Sequence, residues 1–478
     1  MPAKPSPSEM SRRAILRRSA LSFGMLGLAG MVALPTRRGA ASTTEPLAPR
    51  EPHFPAPAKR VIFLFMHGGV SHIDTFDPKP RLDRDDGKPM PIALELAFSR
   101  NLGNLMRSPF EFRRHGQSGI PVSSLFPNVA GCVDDLCVIR SMVGDGVDHG
   151  GAMLQLHTGS FTFTRPSVGS WVLYGLGTEN RNLPGFVTIK PTLWHGGAKN
   201  WGSAFLPGSY QGTPIGNSAA SLNELREAPI EHLTNTTRTP GQQRYELEML
   251  AEINRLHRLD KRHDPSLEAR IQSMELAFRM QMEAPEALSV EGESEATKQL
   301  YGIDEEVTRD FGWQCLLARR LAERGVRFIQ CSHSGFEEKW DHHNAVARRH
   351  HASAREVDKP IAGLLRDLKA RGMLSETLVI WAGEFGRTPF TDQGDGRDHN
   401  PYGFTIWMAG GGSRPGTVYG ATDEFGYHAV ENRMHIHDLH ATVLHLMGLD
   451  HTKLTYRFDG RDFRLTDVHG RVAEDILA

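Results

Sequence analysis

Apolar residues along the chain fall in short unbroken runs separated by longer amphipathic stretches. Arg60-Val61-Ile62-Phe63-Leu64-Phe65-Met66 shows no alternation with polar residues. Such a run predicts a strand covered on both faces, the habit of parallel sheets. Further strands are predicted around Leu136-Cys137-Val138-Ile139, at Phe186–Ile189, Val326–Gln330 and Thr377–Trp381, and at Gly403–Met408, closing in Gly410-Gly411-Gly412. Between them lie helical patterns at Glu305–Arg324, where Phe311, Cys315, Leu316 and Leu321 stand near helical spacing, at Ala354–Ala370 and at His437–Met447. Alternation of strand and helix implies an α/β domain with a mostly parallel central sheet and helices on both faces. The polar stretch 218–307 predicts helices over Tyr245–Leu259 and Ser266–Met282, carries no chemical motif and reads as a helical insertion. Residues 60–478 are read as one domain.

The first 59 residues break this pattern. Ser11-Arg12-Arg13-Ala14-Ile15-Leu16-Arg17 precedes an uncharged apolar run from Ala20 to Leu34, then Gly39-Ala40-Ala41. That run is shorter than the roughly 20 residues needed to span a bilayer. A basic start, a short apolar stretch and a small-residue end make residues 1–41 a signal peptide. The paired Arg followed by a large apolar residue and Leu resembles the twin-arginine export signal. The expected location is periplasmic or secreted, with the export machinery as a partner and no membrane span after cleavage. Residues 42–59, rich in Pro and Ala, read as a linker.

Composition narrows the function. With 55 Lys+Arg against 56 Asp+Glu, the net charge of −1 gives no basic face for nucleic acid. Four Cys in 478 residues exclude a disulfide scaffold; Cys132 and Cys137 are close enough to pair after export, but free buried thiols are the preferred reading. The 23 His are the informative excess.

Many of those His stand beside acids just after predicted strands. The clusters are His67-Gly68-Gly69-Val70-Ser71-His72-Ile73-Asp74, Asp145-Gly146-Val147-Asp148-His149, His333 running on to Trp340-Asp341-His342-His343, Gly383-Glu384-Phe385-Gly386-Arg387, and Arg397-Asp398-His399-Asn400. One Asp-His pair is usually a surface ion pair. Five at the strand ends of one sheet converge on one rim, where open α/β sheets bind ligands. Carboxylate plus imidazole suits a divalent metal such as zinc, manganese or iron, with calcium as a further candidate. By contrast, His435, His437 and His440 sit at helical spacing and read as capping and packing, and Trp381 and Trp407 as core.

These motifs resemble the alkaline-phosphatase/sulfatase superfamily and, more closely, the domain-of-unknown-function family 1501. The closer match rests on Gly68 to Pro80, Gly383-Glu384-Phe385-Gly386-Arg387-Thr388-Pro389, Gly396-Arg397-Asp398-His399-Asn400, Tyr419 to Glu424 and Arg457 to Asp462. The resemblance implies a three-layer alkaline-phosphatase-like sandwich, two divalent metals, and hydrolysis of small-molecule or polysaccharide sulfate or phosphate esters. By position it implies Asp341, His343 and His399 at one metal, with Glu384, His72 and Asp74 at or beside a second. Phe385 stands where the superfamily has a ligand His. His149 stands where it has a Ser, Thr or Cys nucleophile, leaving His149 as nucleophile or ligand. Arg387 would contact the substrate's anionic group. The alternative is a catalytically inactive extracytoplasmic binding or scaffold protein.

Overall fold

The computed structural model describes residues 46–91, 103–227, 229–230, 237–260, 265–335, 339–392 and 394–478. The signal-peptide reading of residues 1–41 lies outside them.

The six predicted strands lie in one large sheet, joined there by three short strands at 213–215, 417–419 and 434–435 that the sequence did not signal. In chain order they are β1 (Arg60–Met66), β2 (Leu136–Val143), β3 (Phe186–Ile189), β4 (Thr213–Ile215), β5 (Phe328–His333) and β6 (Thr377–Ala382). A hairpin outside this sheet follows, β7 (Gly386–Asp392) and β8 (Gly396–Asn400). The sheet is completed by β9 (Phe404–Ala409), β10 (Thr417–Tyr419) and β11 (Met434–His435). Strand order is β10-β2-β9-β6-β1-β5-β3-β4, with β11 also on β2. All neighbours run parallel except at β9, which is antiparallel to both β2 and β6.

β1 shows why the layers number three. Its even residues Ile62, Leu64 and Met66 join a core with the helices α5 (Arg309–Glu323) and α6 (Val346–Ala370). Its odd residues Val61, Phe63 and Phe65 join a second core with α1 (His149–Thr158), α2 (Val168–Leu176) and α7 (Ile436–Leu446). Successive strand side chains point to opposite faces, so an unbroken apolar strand demands a cover on each side. The three-layer α/β sandwich expected from the sequence is therefore present.

The stretch 218–307 holds the long helices α3 (Pro240–Asp260) and α4 (Pro265–Leu288). α4 enters the first core through Met280, Ala284, Ala287 and Leu288. Over residues 46–59 the Pro- and Ala-rich segment has no helix and little strand, yet it is anchored: Leu47 and Ala58 are buried, and the Arg50 amide donates to the Leu176 carbonyl. All four cysteines are free and buried. No described helix is long and apolar enough to cross a membrane.

Candidate metal centre

The sheet's direction decides which ends meet. β1, β2, β5 and β6 are mutually parallel in sense, so their carboxyl ends share one rim. β9 runs the other way, so the residues that precede it reach that same rim. This is why His399, before its strand, meets residues that follow theirs. The β1–β6 register sets Phe65 beside Ala382, which brings His67 and Gly68 level with Glu384.

Four side chains converge there. The Nε2 atoms of His343 and His399 lie 3.0 and 3.1 Å from Asp341 Oδ1, and His149 Nε2 lies 3.5 Å from the same oxygen. His343 Nε2 and His399 Nε2 are 3.0 Å apart. His149, Asp341 and His399 form one group with donor atoms all within 4.8 Å; His343, Asp398 and His399 form a second.

The far nitrogen of each imidazole faces an acceptor. His149 Nδ1 is 2.7 Å from Glu384 Oε1, His343 Nδ1 is 2.6 Å from Asp392 Oδ2, and His399 Nδ1 is 2.7 Å from the Val147 carbonyl. An acceptor at Nδ1 favours the tautomer with its proton there, which leaves a lone pair on Nε2. Three such lone pairs and a carboxylate oxygen facing one another repel unless a positive charge sits among them. Arg387 supplies part of it by bonding Asp341.

Electrostatics follow from this crowding. Burial opposes ionisation of Asp341, yet Arg387 and the three imidazoles hold its carboxyl far below the usual range. Burial also opposes charge on His149, but Asp341 and Glu384 outweigh it and raise the imidazole to about 9, so without an ion a proton holds Nε2 and supplies the positive charge that a metal would otherwise bring. Burial would raise Glu384; its bond to His149 pulls it down to about 2. His399 falls to about 4 through burial and Arg387.

Local backbone makes the convergence possible. Gly68 has φ of 115°, and a Cβ there would lie 2.5 Å from the Asp341 nitrogen. Its amide donates to Glu384 Oε1 at 2.9 Å. A Cβ on Gly396 would lie 1.8 Å from the His343 carbonyl carbon, so only glycine lets the β7–β8 hairpin reach the 341–343 segment. His149 opens α1, whose N-cap Asp148 accepts from the Gly151 amide.

The residues singled out from sequence thus divide. Asp341, His343, His399 and His149 meet. Glu384 stands behind His149 as its acceptor, with a fully buried side chain. Arg387 is wholly buried, and its donors are directed at the carbonyls of Gly68, Gly69 and Arg397 as well as Asp341. It braces the rim from within rather than facing a ligand. Asp74 gives both oxygens to the Arg397 guanidinium, and neither side chain is exposed. His72 bonds the Gly426 carbonyl, and burial lowers its pKa to about 4. Asp74 therefore braces the hairpin through Arg397, His72 is tied to Gly426, and neither belongs to a donor group.

Phe385 fills the space a ligand would need, its ring 4.5 Å from that of His399 and 4.8 Å from that of His149. The Ser141 hydroxyl, at the end of β2, donates to the Asn432 carbonyl at 2.7 Å. Sequence reasoning missed Asp392 and the Val147 carbonyl, which have no local signature, and His195, whose ring lies 5.2 Å from that of His149.

No curated protein matches the chain. Solved structures to which it is similar include PsFucS1 sulfatase from Pseudoalteromonas sp., at 13% identity over 93% of this chain and 72% of that one, with TM-score 0.34. Alkaline phosphatase from the Antarctic bacterium TAB5 aligns at 11% identity over 82% of this chain and 99% of that one, with TM-score 0.36. The lipoteichoic acid synthase LtaP from Listeria monocytogenes aligns at 9% over 86% and 76%, with TM-score 0.32. The family described as "Protein of unknown function (DUF1501)" matches residues 58–477, from before β1 to the last residues of the chain, and takes in every residue of the centre; the chain belongs to that family.

Proposed function

We propose that the chain is an exported, divalent-metal-dependent hydrolase of sulfate or phosphate esters. The observation that carries this reading is the convergence of three imidazole Nε2 atoms on Asp341 Oδ1, each imidazole fixed from behind by an acceptor. The buried His149 Nε2 makes no close hydrogen bond and faces Asp341 Oδ1 at 3.5 Å, a position suited to a ligand atom. Three nitrogens and one carboxylate oxygen suit zinc, and also manganese or iron; calcium prefers oxygen and fits this set poorly. His149, Asp341, His343 and His399 would hold the ion, with Asp398 beside them. A bound divalent cation supplies Lewis-acid stabilisation of charge developing on an ester.

The chain's own residues do the rest. Glu384 and Asp392 keep His149 and His343 in the ligand tautomer. Arg387 offsets the charge of Asp341 and fixes it to the Gly68-Gly69 turn. Phe385 gives the centre a dry wall. The ester class comes from the sequence resemblance to sulfatase and phosphatase segments, and small molecules and polysaccharide esters both remain in scope.

A specific observation favours a second reading, a metal-holding protein without turnover. The nucleophile position is taken by His149, here a ligand, and none of the contacts named around the four donors is a Ser, Thr or Cys. Elemental analysis of protein purified without chelator, compared with Asp341→Ala/His399→Ala, tests the centre. Stoichiometric metal lost in the variant supports it; a folded wild type without metal refutes it. Screening aryl and sugar sulfates and phosphates with the loaded protein then separates hydrolase from binder. Residues 1–41 direct export through the twin-arginine machinery in this reading, and Arg12→Lys/Arg13→Lys would hold the protein in the cytoplasm.

A further inference from the structure

Six of the seven tryptophans are at most 4% exposed; the seventh, Trp194, is 52% exposed. It lies on the segment that follows β3, at the rim of the metal centre. Its neighbour Leu193 is 61% exposed. The next residue, His195, sets its ring 5.2 Å from that of His149 and 5.7 Å from that of His67. Consecutive Cα atoms are about 3.8 Å apart, so Trp194 is one residue from a side chain in contact with the centre.

The segment is held in a costly shape. Lys190 and His195 have φ of 49° and 50°, in the left-handed region that non-glycine residues seldom adopt. Gly196 follows at 100°, and a Cβ there would press on Asn200 and Leu154. Asn200 donates to the His195 carbonyl, the Thr192 hydroxyl accepts from the Trp194 amide, and the Gly197 amide donates to the Trp194 carbonyl. A half-exposed Trp beside a more exposed Leu on a strained, well-anchored loop forms an apolar patch of the kind that collects at ligand sites.

We propose that Trp194 is a specificity-determining residue, a platform for the flat apolar face of a ring in the alcohol part of the substrate ester. This rests on the ester reading above. Aromatic side chains offer a large, stiff, apolar face with few rotamers to lose. The shared chemistry is a ring face, from either an aryl or a pyranosyl group.

The single exposed tryptophan makes the test direct, because acrylamide quenching of fluorescence in the metal-loaded full chain reports chiefly on Trp194. The probes are phenyl phosphate, glucose 6-phosphate and methyl phosphate. At equal occupancy, judged by competition for the centre, ring-bearing probes should shield at least half of the accessible emission; methyl phosphate should shield little. Shielding by phenyl phosphate alone assigns an aryl face, and by glucose 6-phosphate alone a sugar face. The Trp194→Ala change should raise the KM ratio of ring-bearing to methyl esters about ten-fold, with Trp194→Phe within about three-fold of wild type. Equal shielding by all three probes, or none by the ring-bearing pair, overturns the platform. Shielding without turnover of any ester would refute hydrolysis and leave the platform standing. Turnover without shielding would do the reverse.

Discussion

Replacing Glu384 by Gln changes one atom and separates the two roles that residue can have. In the structure its carboxylate accepts from the Gly68 amide at 2.9 Å and faces His149 Nδ1 at 2.7 Å, on a side chain with no exposure. A carboxylate can accept both bonds; a carboxamide has one acceptor and one donor end. In Glu384→Gln the NH2 group takes either the Oε1 place, where it meets His149 Nδ1, or the Oε2 place, where the oxygen left at Oε1 still accepts from both donors. If His149 yields, its proton moves to Nε2 and the lone pair aimed at Asp341 is lost. Altering an acceptor behind a ligand histidine typically costs 10- to 100-fold in metal affinity, about 1.4 to 2.7 kcal/mol. If the oxygen keeps the Oε1 place, both bonds survive and what is lost is the negative charge that strengthens His149 as a ligand. The assay is competition of zinc between protein and a chromophoric chelator, with thermal melting of the same samples. Affinity should fall 10- to 100-fold in Glu384→Gln and be abolished in Asp341→Ala. Wild-type affinity in Glu384→Gln with an unchanged melting temperature would refute the role of the Glu384 carboxylate behind His149. Complete loss, equal to that of Asp341→Ala, would make Glu384 itself a ligand.

Further outcomes follow from the surroundings. Asp74→Ala strands the buried Arg397 guanidinium and should cost about 3–5 kcal/mol in urea unfolding, and less when combined with Arg397→Met; a loss under about 1 kcal/mol would refute the bracing role. Burial would raise Glu356, but its bond to His333 and the nearby Lys339 lower it to about 2. Its stabilisation is thus present above the unfolded value near 4.5 and is lost as pH falls from there toward 2. Glu356→Gln should flatten the acid limb of a melting-temperature profile in that window, by about 1 kcal/mol at neutral pH after solvent screening; an unaltered limb contradicts it. The four buried thiols should resist a thiol reagent in native protein and all titrate after denaturation, Cys137 being raised to about 12 by burial. Fewer than four thiols in the denatured, unreduced protein would show a disulfide.

The sheet was legible in the chain because a strand buried on both faces needs an unbroken apolar run, as in β1 and β6. Boundaries were less so. The predicted strand Val326–Gln330 is observed at Phe328–His333, and the helix predicted over Ala354–Ala370 begins at Val346, where a polar run of Arg and His hides its amphipathic face. The β7–β8 hairpin looked like two loop motifs, since Arg387, Arg397 and Asp398 are polar yet buried. Their burial depends on partners far away in sequence, namely Asp341 and Asp74, which no local pattern reveals.

By itself the sequence determined the alternation of strand and helix and the collection of acid–His pairs at strand ends. Apolar periodicity and residue chemistry are local properties, so one chain displays them. Only the tertiary structure decided which pairs meet. The antiparallel sense of β9 brings His399 to the rim, the closeness allowed by Gly68 and Gly396 draws in Asp341 and His343, and Arg397 claims Asp74. Ligand, brace and wall are distinguished by a few ångströms between residues far apart in the chain, 250 positions for His149 and His399 and 323 for Asp74 and Arg397, and that distance is set by packing rather than by any motif.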